Sequence, residues 1–304
     1  MMPDPQPDFQ PEPGVAEWLA PGLRRVLAPN PSPMTFRGTN TYLVGDGDLA
    51  IIDPGPNSES HLNSLLQAIG KERVSAILVT HAHVDHSPLA AALSERVNAP
   101  VHAFSDAFGG RSAVMQDLAR TGLVGGGEGV DSTFSPDVTL ADGDSVAGDG
   151  WSLRAIHTPG HFGNHLCFAW DDMLFCGDLV MGWASSLVSP PDGDLTDFMA
   201  SCRRLQDGTW SVFHSGHGAP IPDPAARLDW LIRHRLSREA AVLAALQDGP
   251  ATSAALAARI YTDTPAALLP AATRNVLAHL IDLAGKNQVS PIGPLHAEAR
   301  FALT

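Results

Sequence analysis

The apolar positions of this chain fall into short runs separated by turn residues, not into one long periodic pattern. Residues 40–45 and 49–53 read as strands, with Asp46-Gly47-Asp48 as the turn between them. Pro54-Gly55-Pro56-Asn57 breaks the pattern. Residues 58–69 then carry helical spacing and stop at Gly70. Residues 74–80 form another apolar run, 88–96 a short helix and 100–104 a strand. The stretch 105–131 is glycine-rich, with Gly125-Gly126-Gly127 inside it, and predicts a loop with one helical piece around 113–120. Strands are expected at 138–140, 151–157, 165–170, 173–176 and 210–213, with a helix at 195–205. Strand–helix alternation mixed with hairpins predicts an α/β sandwich and not a doubly wound parallel sheet. Neither a GxGxxG nor a P-loop pattern stands where a strand opens into a helix, and no solenoid repeat is visible.

After His217 the pattern changes. Residues 225–245 predict a long helix carrying Arg233, Arg235 and Arg238. Thr252 or Ser253 caps a helix that runs to Ile260. Pro265 fits the first turn of another, with Thr264 as its cap, continuing to about Leu283 and ending near Gly285. Residues 288–292 and 295–301 could pair as a hairpin. Three helices and a hairpin resemble a winged-helix arrangement. The domain plan is therefore a poorly ordered tail over 1–30, a catalytic body over 31–223 and a C-terminal module over 224–304.

Composition changes this picture in three ways. The net charge of −14 is uneven. From Pro224 onward eight Lys or Arg face six Asp or Glu, so the acidity lies in the body and argues against general nucleic-acid affinity. No apolar run approaches transmembrane length. The N-terminus lacks the basic start and apolar core of a signal peptide, which leads to an expectation of a cytoplasmic protein with no membrane contact. Cys167, Cys176 and Cys202 are too few and too spread for a disulfide framework, and the first two sit in apolar runs as core residues.

The chemistry is concentrated in Thr80-His81-Ala82-His83-Val84-Asp85-His86, directly after an apolar strand. Alternate strand residues share a face, so His81 and His83 can point the same way. Asp85 and His86 fall where the chain leaves the strand. Imidazole and carboxylate together suit zinc, iron or manganese. Three further candidates stand at strand ends beside glycines: His161, Asp178 and His217. One coherent set places His81, His83 and His161 on one ion, Asp85, His86 and His217 on a second, and Asp178 between them. His157, His165 and His214 are expected to support these ligands, with His165 also able to face the cleft. Asp53 is expected to orient a ligating histidine or close a loop. His61, His102, His234, His279 and His296 read as surface or packing residues.

The series Thr80 to His86, Thr158-Pro159-Gly160-His161, Gly177-Asp178 and Gly216-His217-Gly218 resembles the signature of the metallo-β-lactamase superfamily. Within it, Gly38-Thr39-Asn40-Thr41-Tyr42-Leu43-Val44-Gly45, Pro190-Pro191-Asp192-Gly193-Asp194 and the C-terminal module with His279-Leu280 look most like the LACTB2-like (beta-lactamase-like protein 2) branch. The resemblance implies an αββα sandwich with two divalent metal ions at one edge, zinc in the first instance and iron or manganese as alternatives. It implies a metallo-hydrolase of the binuclear zinc type, in which a metal-bridging hydroxide attacks an ester, thioester or phosphodiester. Asp85 would bind the second ion and serve catalysis by orienting the nucleophile or moving a proton.

The expected substrate is a small-molecule ester or thioester, with single-stranded RNA cleavage as the alternative. A hydroxyacylglutathione hydrolase-type thioesterase and an iron-dependent persulfide dioxygenase rank lower. A homodimer is left open. The missing export signal, and Asp178 where one class of zinc β-lactamases has cysteine, argue against antibiotic hydrolysis. Candidate substrate walls are residues 34–37, 105–131, 182–194 and the C-terminal module, with Phe162 and Trp183 as stacking or packing platforms and Arg37 for an anion.

Overall fold

The computed structural model of the protein describes residues 4–126 and 129–304, so Met1 to Pro3 of the expected tail and Gly127 and Glu128 of the glycine-rich loop lie outside the described residues. The apolar runs become the strands of two facing sheets. The first sheet has seven strands in chain order: β1 (Ala16–Ala20), β2 (Leu23–Leu27), β3 (Asn40–Asp46), β4 (Asp48–Ile52), β5 (Arg73–Leu78), β6 (Val101–Ala103) and β7 (Val138–Thr139). It is antiparallel as far as β4 and parallel from β4 to β7. The second sheet holds β8 (Ser145–Gly148), β9 (Trp151–His157), β10 (Leu166–Trp170), β11 (Met173–Gly177) and β12 (Val212–Ser215), in the order β12-β11-β10-β9-β8. Its strands pair antiparallel except β11 with β12.

Strand periodicity explains why the inner strands are apolar without alternation. Tyr42, Val44, Ala50, Ile52, Ala76 and Leu78 point between the sheets, against Leu153, Ala155, Phe168 and Phe175. Leu43, Leu49, Ile51 and Ile77 point the other way, against Leu62 and Leu65 of α1 (Glu59–Ile69) and Leu89 and Leu93 of α2 (Leu89–Val97). A strand buried on both faces has no polar side to show. Helix α3 (Ala113–Arg120) lends Met115 and Leu118 to the C-terminal core. The outer face of the second sheet is covered by α4 (Leu195–Gln206) and the first half of α5 (Pro224–Leu246), through Phe198, Leu205, Leu228 and Leu231. The second half of α5 supplies Val242 and Leu246 to the core of the C-terminal module, so this helix ties the module to the sandwich.

That module consists of β13 (Ala251–Thr252), α6 (Ser253–Ile260), a 3-10 turn (Ala266–Leu268), α7 (Leu269–Gly285), β14 (Val289–Ile292) and β15 (Arg300–Leu303), with a small antiparallel sheet in the order β13-β15-β14. Thr252 caps α6 by accepting from the Ala255 N–H, as its place in the sequence predicts.

Three expectations are corrected. The tail over 1–30 is largely structured: β1 and β2 are strands of the first sheet, and every residue of β2 is buried. Arg24 and Arg25 disguise β2 in the sequence. Both are buried because Glu72 and Glu17, respectively, pair with them, and Arg24 also donates to the Ala68 carbonyl. The last long helix begins at Leu269, not at Pro265, because Pro270 has no N–H to donate and fits only a helix's first turn. The second strand of the terminal hairpin lies at 300–303, later than 295–301.

Candidate metal centre

Four connections bring the candidate ligands to one edge of the sandwich. His81, His83, Asp85 and His86 follow β5, His161 follows β9, Asp178 follows β11 and His217 follows β12. All seven side chains are buried. Their donor atoms form three overlapping groups, His81-His83-His161, Asp85-His86-His217 and His81-His86-Asp178, each with its atoms within 4.8 Å of one another. The donor atoms thus gather into two groups, with Asp178 beside His81 of one and His86 of the other.

Glycine permits this approach at two points. Gly177 has a positive φ of 45°, where the β11–β12 register shifts, and a Cβ there would meet His165 Nε2 at 2.6 Å. At Gly216 a Cβ would stand 2.3 Å from Asp178 Oδ1 and 2.6 Å from His86 Cε1. No side chain larger than hydrogen fits either position.

The rear nitrogen of each outer imidazole is held in place. His161 Nδ1–H donates to the Leu187 carbonyl (2.7 Å) and His217 Nδ1–H to that of Gly38 (3.1 Å). Asp53 Oδ2 accepts from His86 Nδ1 (2.9 Å) and from the Thr80 hydroxyl (2.8 Å). Because that hydroxyl gives its proton to Asp53, it accepts from His81 Nδ1 at 3.0 Å. Each hydrogen bond occupies Nδ1 and turns Nε2 toward the centre, where it can bind a cation in place of a proton. Asp53 is therefore placed as expected, aiming one ring directly and another through Thr80. The supporting carbonyls of Leu187 and Gly38 were not readable from sequence, since backbone acceptors carry no residue signature.

The motif 38–45 has a physical explanation here. Asn40 Nδ2 donates to the Ser215 and Gly218 carbonyls, bracketing His217, while Thr39 Oγ1 reaches Asp85 Oδ2 at 3.4 Å. Asp194 caps α4, and its N–H donates to the Gly160 carbonyl (2.8 Å), fixing the turn before His161.

The atoms fit cations. His83 Nδ1 lies 2.8 Å from His81 Nε2 and 3.0 Å from His161 Nε2. With both Nε2 atoms bare, at most one proton is available to three mutually facing nitrogens, so lone pairs oppose one another until a cation accepts them. On the other side, Asp85 Oδ1 and Asp178 Oδ1 are buried with no hydrogen-bond partner among the described residues. Nitrogen and carboxylate donors suit zinc, iron and manganese alike.

Electrostatics separate the two halves. Burial pushes His81 and His161 below the ordinary imidazole value and His83 down to about 3, so this trio is neutral. Burial also acts to lower His86 and His217, but the carboxylates outweigh it. Asp85, Asp178 and Asp53 hold His86 well above its usual value, and Asp178 with Asp85 lifts His217 to about 10. Burial works to raise Asp85 and Asp178, yet His86 and His217 beside them keep both well below the carboxylate range.

Some expected roles move. His165 is fully buried with its ring 5.2 Å from that of His81 and Nδ1 against Thr158 Oγ1, so it packs behind a ligand and does not face a cleft. Phe162 is buried under His81 and His83 and is no substrate platform. Arg37 is paired with Asp4. Trp183 stays at the edge, half-buried and stacked on Phe36.

Residues 34–221 match the metallo-beta-lactamase superfamily, and residues 252–293 match the beta-lactamase associated winged helix domain. The chain is 31% identical to the beta-lactamase-like protein 2 homolog of Drosophila melanogaster, over 90% of this chain and 91% of that one. It is 30% identical to the atrochrysone carboxyl ACP thioesterase of Aspergillus fumigatus, over 82% of this chain and 76% of that one. The crystal structure of a metallo-beta-lactamase family protein from Thermus thermophilus superposes with a TM-score of 0.76 at 28% identity, covering 94% of this chain and 100% of that one. The chain belongs to the metallo-beta-lactamase superfamily, on the branch of the beta-lactamase-like protein 2 homologs, and carries the associated winged helix. Among the described residues no helix is long and apolar enough to cross a membrane.

Proposed function

We propose that this member of the superfamily is a two-metal hydrolase of carboxylic esters or thioesters. The observation that carries the reading is the division of the cluster into an all-imidazole trio, His81, His83 and His161, and a carboxylate-bearing group, Asp85, His86 and His217, with Asp178 between. The first group would hold one ion and the second the other. Zinc is our first assignment. Divalent ions bound there would polarise the oxygen under attack and bring the pKa of water from near 16 to about 7.

The chain's own residues supply orientation and proton handling. Leu187, Gly38, Asp53 and Thr80 hold four imidazoles in one tautomer each, so little reorganisation remains when a substrate arrives. Asp85 Oδ2 lies 3.2 Å from His217 Nε2, where one ion would take both atoms, and Oδ1 is left free to take or return a proton. Phe162 seals the inner side against water.

Carbonyl chemistry is favoured over RNA cleavage by what the C-terminal arginines do. Arg235 is buried and spends its donors on the Ser185 and Ser186 carbonyls and on Asn275. Arg227 donates to the Ala184 carbonyl, and Arg238 lies over the Tyr261 ring. Arg235 and Arg227, bound this way, have donors committed away from phosphates, whereas Arg238 keeps its N–H groups. The name of the Aspergillus relative points in the same direction.

The test uses purified protein with its metal content measured, offered S-acyl N-acetylcysteamine thioesters and, separately, a short single-stranded RNA, with Asp85→Ala as control. Thioester cleavage that disappears in the control is the expected result. RNA cleavage alone, lost in the same control, would replace this reading with the nuclease.

A further inference from the structure

A mainly apolar recess of ≈200 Å³ opens between the sandwich and the C-terminal module. Met34, Met181, Trp183 and Leu187 line it from the sandwich, and Tyr261 and Leu268 from the module. Three of the four stretches expected to wall the substrate meet here. Two of its walls reach the residues that position the metal-edge histidines. Leu187, one of its walls, holds His161 Nδ1, and Trp183 stacks on Phe36, two residues before the Gly38 carbonyl that holds His217.

The walls are braced. Buried Arg235 donates to the Ser185 and Ser186 carbonyls at 2.8 Å and to Asn275 Oδ1 at 2.9 Å, and Asn275 Oδ1 also accepts the Val188 N–H at 3.1 Å. Helices α5 and α7 thereby fix the segment 185–188 that forms one side. A preformed apolar hollow beside a polar reactive centre is the usual form of a specificity pocket.

We propose that this recess binds the apolar acyl part of the substrate, a chain or ring of about six carbons, with the carbonyl end toward the cluster. This rests on the ester and thioester reading above. The size follows from volume: a closed apolar cavity of roughly 150 Å³ takes one benzene ring. A free carboxylate or a sugar would meet mostly carbon at Met34, Leu187 and Leu268, with Ser185, Thr264 and Asn275 among its few polar neighbours.

Two variants fill or charge the recess: Ala271→Trp on α7 and Leu268→Arg at the half-buried rim. Acetyl, hexanoyl and benzoyl thioesters of N-acetylcysteamine are compared on the metal-loaded full chain, and hexanamide binding is followed by calorimetry. Burying one methylene improves binding about fourfold, so partial burial of four should favour hexanoyl over acetyl in kcat/KM by at least ~10-fold. Each variant that keeps the wild-type circular dichroism should lower that ratio, and weaken hexanamide, by about the same factor. A wild-type ratio near one, or a ratio and a hexanamide affinity unchanged in both variants, overturns the proposal while leaving the hydrolase reading intact. If no thioester is cleaved at all, the thioesterase half of that reading fails, and the hexanamide titration alone decides whether the recess binds apolar chains.

Discussion

Two of the regions of this molecule that bury histidine treat it in opposite ways. At the metal edge, His81, His86, His161 and His217 each hand one ring nitrogen to a fixed acceptor and turn the other inward. In the core of the C-terminal module, His279 on α7 is 1% exposed, and neither of its ring nitrogens has a partner among the described residues. Burial is the same in both places. The difference lies behind the ring: an outer hydrogen bond chooses the tautomer and makes a ligand, whereas an imidazole without one is an expensive apolar filler. A rear nitrogen that is accounted for therefore strengthens the case for a ligand, while His83 enters on the facing of its Nδ1 toward His81 and His161.

The largest effects should come from the edge. His83→Ala removes the nitrogen shared by the neutral trio, and Asp85→Ala removes a carboxylate from the other half. We expect each to reduce hydrolysis by at least ~10³-fold, in the range seen when one member of a catalytic unit is lost. Elemental analysis should show lower metal content, while the far-ultraviolet circular dichroism stays that of wild type. A variant that keeps full metal and full rate breaks the assignment of that half.

A smaller loss is expected from the groups behind the ligands, and it would sharpen the comparison. Asp53 accepts from His86, from the Thr80 hydroxyl and from the Thr80 N–H (2.7 Å). Asp53→Asn keeps the size but cannot accept with both side-chain atoms. Metal affinity, measured by competition with a chelator, should fall by roughly 10- to 100-fold. An unchanged affinity would mean that His86 is aimed by packing alone.

The difference between the regions also explains what the sequence made legible. His81, His83, Asp85 and His86 stand together in six positions after an apolar strand, and His161, Asp178 and His217 stand at strand ends between glycines, so residue type and local context were sufficient to gather them. The two acceptors that discriminate a ligand from a filler, the carbonyls of Leu187 and Gly38, are backbone atoms and leave no trace in composition. Strand β2 was hidden for a related reason. Its Arg24 and Arg25 read as polar until Glu72 and Glu17, remote or half-exposed, pair with them. Phe162 was misplaced, and the cleft-facing alternative for His165 fails, because both follow the His161 turn and a turn's direction depends on what packs behind it; the supporting role expected of His165 stands. What the sequence carried was chemistry held in side chains; what it withheld was chemistry held in the backbone and in long-range pairs.

The smallest effect should come from His279. Leucine at this position would remove two unpartnered ring nitrogens from an apolar core at nearly constant volume, so His279→Leu should stabilise the fold by about 1 kcal/mol at neutral pH, read from the urea midpoint. The same variant carries a pH signature with a definite sign. Burial pushes His279 down to about 3, with the charge of Arg235 adding to it. The unfolded chain therefore binds a proton that the native core refuses. The wild-type contribution is intact above about pH 6.5 and is lost as the pH falls from there toward 3. His61 and His214, held down to about 4 chiefly by burial, lose stability in the same direction but remain in the variant. The stability difference between His279→Leu and wild type should thus be flat above pH 6.5 and widen in favour of the variant on acidification, by about 2 kcal/mol at pH 5. A difference that stays flat down to pH 5 would show that His279 takes up its proton in the folded core, and the contrast between the two kinds of buried histidine would fail there.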